Sequence, residues 1–128
     1  MKVLVVDDVS VMRFVLVEIL IRDCGIEREH AHEAENGKDA IEKYKSHNYD
    51  IVFLDITMPD IDGISVVKKI VNINHNANII MYTSSGEEED IMNCIDAGAR
   101  DCILKPPHPD KVADAIERIT GRKIHRRN

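Results

Sequence analysis

The sequence predicts a single α/β domain: a five-stranded parallel sheet with helices on both faces. Three observations carry this expectation. Short unbroken apolar runs alternate with stretches of helical periodicity, the pattern that builds βαβ units and a parallel sheet. Each strand–helix unit takes roughly 22 to 28 residues, close to the minimal size of that motif. The chain has 128 residues, about 0.85 of an average domain, so one domain is expected. Right-handed crossovers then leave few topologies.

The elements follow in order. Val3-Leu4-Val5-Val6 is unbroken and β-branched, as a strand covered on both faces requires. Val11, Met12, Val15, Leu16, Ile19 and Leu20 recur at helical spacing as far as Cys24-Gly25, where Gly suits the terminator. Residues 28–35, with His30 and His32 among polar neighbours, read as a weaker strand at an edge. Asn36-Gly37 marks a turn, and Ala40, Ile41 and Tyr44 a second helix. Ile51-Val52-Phe53-Leu54 is the second clean buried strand. After the turn-rich Met58-Pro59-Asp60-Ile61-Asp62-Gly63, a third helix carries Val66, Val67, Ile70 and Val71. Ile79-Ile80-Met81-Tyr82 is the fourth strand. The turn Ser84-Ser85-Gly86 leads into Glu87-Glu88-Glu89-Asp90, acids suited to the positive end of a helix dipole. Ser85 and Glu88 fit an S-x-x-E capping box. Ile91, Cys94 and Ile95 carry that helix to Gly98, and Cys102-Ile103-Leu104 is a short fifth strand. Beyond Lys105-Pro106-Pro107-His108-Pro109, a last helix holds Val112, Ala115, Ile116 and Ile119, with Gly121 to end it.

Composition excludes several classes. Hydrophobic residues at 44% and charged residues at 31% are the balance of a soluble protein, not of a disordered or membrane chain. No apolar run approaches the roughly 18 residues that span a bilayer, and the start lacks a signal-peptide layout; a cytoplasmic protein without membrane insertion is expected. Aromatics are 4% and Trp is absent, which disfavours stacking on single-stranded nucleic acid. Seventeen basic and twenty-three acidic residues leave −6. Arg118, Arg122, Lys123, Arg126 and Arg127 stand in the last eleven residues without an acid, so the first 117 carry 12 basic against 23 acidic, or −11. Such a body repels nucleic acid. The division expected is a domain over 1–120 and a solvated basic tail over 121–128. Cys24, Cys94 and Cys102 form no CxxC pair, so reduced thiols are expected, with Cys24 and Cys94 as small core residues.

In an open α/β sheet, function collects beyond the carboxyl ends of the strands. Those ends carry Asp7-Asp8, Asp55, Thr83-Ser84 and Lys105. Three close carboxylates repel one another unless a cation intervenes, and Mg²⁺, with its oxygen ligands, is the natural one. Lys105 and Thr83 are then donors for a phosphoryl group. Taken singly, Asp7-Asp8 also fits a helix cap and its neighbour, Lys105 a surface lysine, Thr83 an ordinary strand residue and His108 a loop residue. Asp55, after a buried strand, has little structural explanation.

Together, Asp7-Asp8, Asp55 with Met58-Pro59-Asp60-Ile61-Asp62-Gly63, Thr83 and Lys105-Pro106 resemble a response-regulator receiver domain, over residues 2 to about 120. Asp7-Asp8-Val9-Ser10-Val11-Met12-Arg13 is further similar to the CheY-type chemotaxis branch. The resemblance implies a flavodoxin-like strand order 2-1-3-4-5 and a phosphoacceptor signalling protein, not an enzyme, that assists its own phosphorylation and dephosphorylation. Asp55 would take the phosphoryl group from the phosphohistidine of a sensor histidine kinase. Asp8 would ligate Mg²⁺ directly, Asp7 through water and Thr57 by its carbonyl, together with Asp55. Thr83, Lys105 and the Ser84 backbone would bind the phosphoryl oxygens, and Lys105-Pro106 would be cis. A monomer signalling to a downstream protein through helix 4, strand 5 and helix 5 is implied, in chemotaxis first and a phosphorelay to a histidine phosphotransfer domain second.

Two positions depart from that pattern: Cys102 stands at the switch position where Tyr or Phe is common, and Pro107 where Phe is common. Both bear on output, not on phosphoryl chemistry. Thr57 and Ser85, flanking the path of attacking water, are small and uncharged, which implies modest self-catalysed hydrolysis. Rival classes fit less well. A flavodoxin-type carrier would have Asp7-Asp8 repelling its phosphate, and a haloacid-dehalogenase-type hydrolase needs an acid where Thr57 stands. A pseudo-receiver would not need the full set of acids, Thr and Lys.

Overall fold

The computed structural model describes residues 1–84 and 88–126. Strands β1 (Val3–Val6), β2 (Ala31–Ala34), β3 (Ile51–Leu54), β4 (Ile79–Thr83) and β5 (Asp101–Leu104) alternate with helices α1 (Ser10–Arg22), α2 (Gly37–Ser46), α3 (Gly63–Ile73), α4 (Glu88–Ala97) and α5 (Pro109–Thr120). The sheet is parallel throughout in the order β2-β1-β3-β4-β5, as expected. β2 lies at the edge, and a 3-10 turn, Arg28–His30, takes the first part of its segment.

Successive strand residues face opposite sides of the sheet. Val3, Val5, Phe53, Ile80 and Tyr82 pack with Leu16 and Leu20 of α1 and Val112 and Ile116 of α5. Leu4, Val6, Leu54, Ile79 and Met81 pack with Tyr44 of α2, Val66 and Ile70 of α3 and Cys94 of α4. Because both faces are covered, the central strands have no polar side and read as unbroken apolar runs. Cys24 and Cys94 are buried free thiols.

Several helix ends differ from expectation. Asn36-Gly37 is a helix start: Asn36 is the N-cap of α2, its side chain accepting from the Asp39 N–H at 2.8 Å. Asp62 caps α3 by accepting from the Ser65 N–H at 2.9 Å. His108 is no plain loop residue, since its Nδ1 accepts from the Asp110 N–H at the start of α5. The N-cap of α1 is Val9, so Asp7-Asp8 is not its cap. Gly121 ends α5 with φ 70°, as expected. The Ser85–Glu88 capping box and the turn at Ser85-Gly86 lie outside the described residues. In α1, Leu16, Val17, Ile19 and Leu20 are buried, whereas Val11, Phe14 and Val15 are exposed. Val11 and Val15, although they recur with the others at helical spacing, thus lie outside the core. The apolar residues of α1 are spread around the helix instead of gathered in one stripe, and periodicity cannot select an inner face in such a helix.

On β2, His32 Nε2 donates to the Glu29 carbonyl at 3.1 Å, so Nδ1 accepts from the Tyr49 hydroxyl at 2.8 Å. Burial lowers the His32 pKa from 6.5, with the neighbouring His47 and Lys2 charges acting the same way and the Glu29 carbonyl opposing. The neutral ring is thus favoured by folding. Its contribution is complete above 6.5 and is lost as pH falls through the lowered folded value. Urea unfolding at pH values on either side of 6.5 should therefore show wild type losing more stability on acidification than His32→Gln; equal losses would assign the slope elsewhere.

Candidate active site

The ends of β1 and β3 bring Asp7, Asp8 and Asp55 together, one oxygen of each lying within 4.8 Å of the others. Asp7 is fully buried, Asp55 is 6% exposed and Asp8 is exposed. Lys105, just beyond β5, reaches across: its Nζ donates to Asp7 Oδ2 at 2.7 Å and to Asp55 Oδ2 at 3.2 Å. With only 11% of its side chain exposed, Lys105 is not a surface lysine. Asp7 Oδ1 accepts from the Val9 N–H at 3.0 Å, and Asp55 Oδ1 from the Thr57 N–H at 3.3 Å. Thr83 is buried at the end of β4, and its carbonyl accepts from the Lys105 N–H at 2.8 Å. Ser84 and Thr57 are exposed at the neighbouring strand ends. Lys105-Pro106 is cis. Cys102 is half-buried on β5, opposite Met81 and packed against the core beneath α3 and α4.

Three carboxylates thus cluster around a site where one ammonium pairs two of them, leaving negative charge that a cation would balance. Burial is the main influence on Asp55 and raises its pKa; Lys105 pulls it down and Asp7 pushes it up.

Two contributors escape sequence reading. Arg13, noted only within the resemblance, clamps the acid loop: Nη1 donates to the Asp7 carbonyl at 2.6 Å and Nε to Glu33 Oε1 at 3.1 Å. Tyr82 lies on the α1/α5 side of the sheet, away from Thr83, as strand alternation requires. Yet Lys105 Nζ stands 4.8 Å above its ring, a cation–π contact that helps hold the ammonium. The Tyr82 hydroxyl is buried without a hydrogen-bond partner among the described residues. Tyr82→Phe, which keeps the ring and removes that hydroxyl, should gain about 1 kcal/mol in urea unfolding. Tyr82→Leu should lose about 2 kcal/mol through the cavity and the missing cation–π contact. A loss in both would show that the hydroxyl is satisfied.

The family model for the response regulator receiver domain matches residues 3–117. The chemotaxis protein CheY of Bacillus subtilis (strain 168) is 44% identical over 117 residues, 91% of this chain and 95% of that protein. CheY of Thermotoga maritima is 42% identical over 119 residues, 93% of this chain and 97% of that protein. A chain of the CheX–CheY–BeF3–Mg²⁺ complex from Borrelia burgdorferi aligns with a TM-score of 0.82 at 35% identity, covering 93% of this chain and 88% of that one. Described residues contain no helix long and apolar enough to cross a membrane. With the acid cluster, its lysine and this likeness in agreement over nearly the whole length, the chain belongs to the response regulator receiver family.

Proposed function

We propose that the chain is a CheY-type chemotaxis regulator, switched by Mg²⁺-dependent phosphoryl transfer from a histidine kinase to Asp55. The observation that carries this reading is the cluster of Asp7, Asp8 and Asp55 at the strand ends, with Lys105 bonded to two of them, Asp7 and Asp55. Hard carboxylate oxygens in this number suit Mg²⁺. Asp8, exposed, is free to ligate directly, with Asp55 and the Thr57 carbonyl. Asp7, whose two oxygens already bond the Val9 N–H and Lys105, suits a water-mediated place. Bound there, Mg²⁺ would neutralise charge on the transferring phosphoryl group.

Asp55 attacks the phosphorus of the kinase phosphohistidine. An O–P bond forms as the P–N bond breaks, and the electron pair leaves on the imidazole nitrogen. Lys105, already in contact with Asp55, supplies positive charge to the phosphoryl oxygens, joined by the Thr83 hydroxyl and the Ser84 backbone. The signalling unit is 1–120, with 121–128 an appended basic segment. It works as a cytoplasmic monomer without nucleic acid and binds a downstream protein through α4, β5 and α5. The similarity to chemotaxis proteins favours this over a phosphorelay intermediate.

Acetyl phosphate with Mg²⁺ should add one hydroxylamine-sensitive phosphoryl group, and EDTA should prevent it. Undiminished labelling in EDTA would overturn the metal requirement.

Output should not depend on the half-buried thiol. Cys102 has no ring to rotate, so the switch rests on differential contacts of Thr83 and Lys105 with the phosphoryl group. Cys102→Ala should keep the phosphorylation-induced change in amide exchange over β5 and α5, whereas Thr83→Ala should label yet lose most of that change. Loss in Cys102→Ala alone would give the thiol the switching role.

A further inference from the structure

Among the asparagines, Asn36 alone precedes a glycine. With no Cβ on the next residue, the backbone nitrogen of such a pair is unhindered in attacking the asparagine side chain. The fold cannot relieve the pair with a larger residue. A Cβ at Gly37 would stand 2.8 Å from Val66 Cγ2 and 3.1 Å from Ile61 Cβ, because α2 starts hard against α3 and the loop over 58–63. Asn36 is half-buried at the N-cap, and its Oδ1 accepts from the Asp39 N–H at 2.8 Å. That donor polarises the carboxamide carbonyl and would stabilise negative charge on its oxygen. The nitrogen on the other side of the reaction is occupied. Gly37 N–H donates to Asp60 Oδ1 at 3.0 Å and Lys38 N–H to Asp60 Oδ2 at 2.9 Å. These bonds, that of Lys38 foremost, hold the Asp60 carboxyl below its ordinary pKa of 3.8, so at neutral and alkaline pH a full negative charge sits against the Gly37 N–H.

We propose that Asn36 is a site of spontaneous deamidation that the Asp60 carboxylate holds closed. Ring closure requires the Gly37 nitrogen to give its proton to solvent base and to form a bond to Asn36 Cγ. The Cγ–Nδ2 bond then breaks, and ammonia leaves with a proton taken from water. A second water adds to either carbonyl of the cyclic imide and reopens it, leaving aspartate or isoaspartate at position 36. A carboxylate that accepts from the Gly37 N–H favours the protonated amide, and its charge disfavours the amide anion. Attack therefore proceeds from locally opened states in which the 58–63 loop has parted from α2. Either product puts a new carboxylate next to the N–H groups that Asp60 binds, and like charges then oppose the loop's return. Isoaspartate also adds one carbon to the main chain at the cap. Deamidation runs one way, so the converted fraction records how long this loop has stood open. The proposal uses no chemistry at Asp55 and stands apart from the phosphotransfer reading.

The test incubates the full chain in mildly alkaline buffer and digests samples with trypsin. The peptide 29–38 holds Asn36 as its only asparagine, and mass spectrometry follows its conversion from amide to acid. Wild type should convert severalfold more slowly than a synthetic peptide of residues 29–38. Asp60→Ala should convert severalfold faster than wild type, and Asp60→Asn, which keeps an acceptor without the charge, should lie between them. Hydrogen exchange separates loss of the guard from general unfolding. In Asp60→Ala the Gly37 and Lys38 amides should exchange faster while those of Val5 and Phe53 in the sheet stay as in wild type. Asn36→Asp, one of the two products, should likewise speed exchange at Gly37 and Lys38. Equal conversion of wild type and Asp60→Ala would show that the helix cap alone protects Asn36 and would overturn the role of Asp60. Faster conversion that tracks faster exchange at Val5 and Phe53 would overturn it as well. Conversion of wild type at the rate of the free peptide would overturn the closed site altogether.

Discussion

Replacing Asp55 with Asn is expected to abolish phosphoryl labelling by acetyl phosphate and Mg²⁺ while making the protein more stable. Loss of labelling follows from removing the nucleophilic oxygen: the amide is a poor nucleophile, and Asp7, the nearest buried carboxylate, is held by Lys105 and the Val9 N–H. The stability gain follows from burial, the first cause of the raised Asp55 pKa. An acid whose folded pKa is raised favours folding only while protonated, and that contribution is lost as pH rises through the folded value. At neutral pH the wild type therefore carries a buried charge that Asn removes, and Asp7 still pairs Lys105. The stability difference should shrink as pH falls toward the ordinary carboxylate value of 3.8. Labelling of the Asn variant would disprove the acceptor assignment, and a less stable variant at neutral pH would show that the Lys105 contact outweighs desolvation.

The second large effect is steric. Gly63 closes the loop that carries Asp55 to Thr57, its N–H donating to the Ile56 carbonyl at 2.8 Å. A Cβ at this position would stand 2.7 Å from Ile56 Cα and 2.8 Å from the carbonyl oxygens of Asp55 and Ile56. All three obstacles are backbone, so no side chain can rotate aside. Gly63→Ala should cost about 3 kcal/mol, lowering the melting temperature by roughly 10 °C, and should slow labelling by displacing the acceptor loop. Gly121→Ala is the control: φ is 70° but nothing lies within 4 Å, so it should cost only about 1 kcal/mol. Similar melting temperatures for the two variants would rule out the clash.

Local chemistry made much of this protein legible in its sequence. The apolar runs Val3–Val6 and Ile51–Leu54 announce strands buried on two faces, and the acids, Thr83 and Lys105 stand at strand ends where parallel chain direction alone gathers them beyond the carboxyl ends of the sheet. Tertiary structure decided what depends on pairs distant in sequence. Lys105 and Asp7 are 98 positions apart and Lys105 and Asp55 are 50 apart, and no periodicity shows that this ammonium bonds both and rests on Tyr82. The exposure of Val11 and Val15 was equally hidden, because apolar residues are spread around α1 and only its packing against β1 and α5 selects the inner face. Residues 121–126 read as solvated, and all of them but Ile124 are exposed; the burial of Ile124 was hidden because charge is a local property. Their docking depends on where Ile124 finds apolar contact and Arg126 finds three carboxylates, and only the folded α5 sets those partners in place.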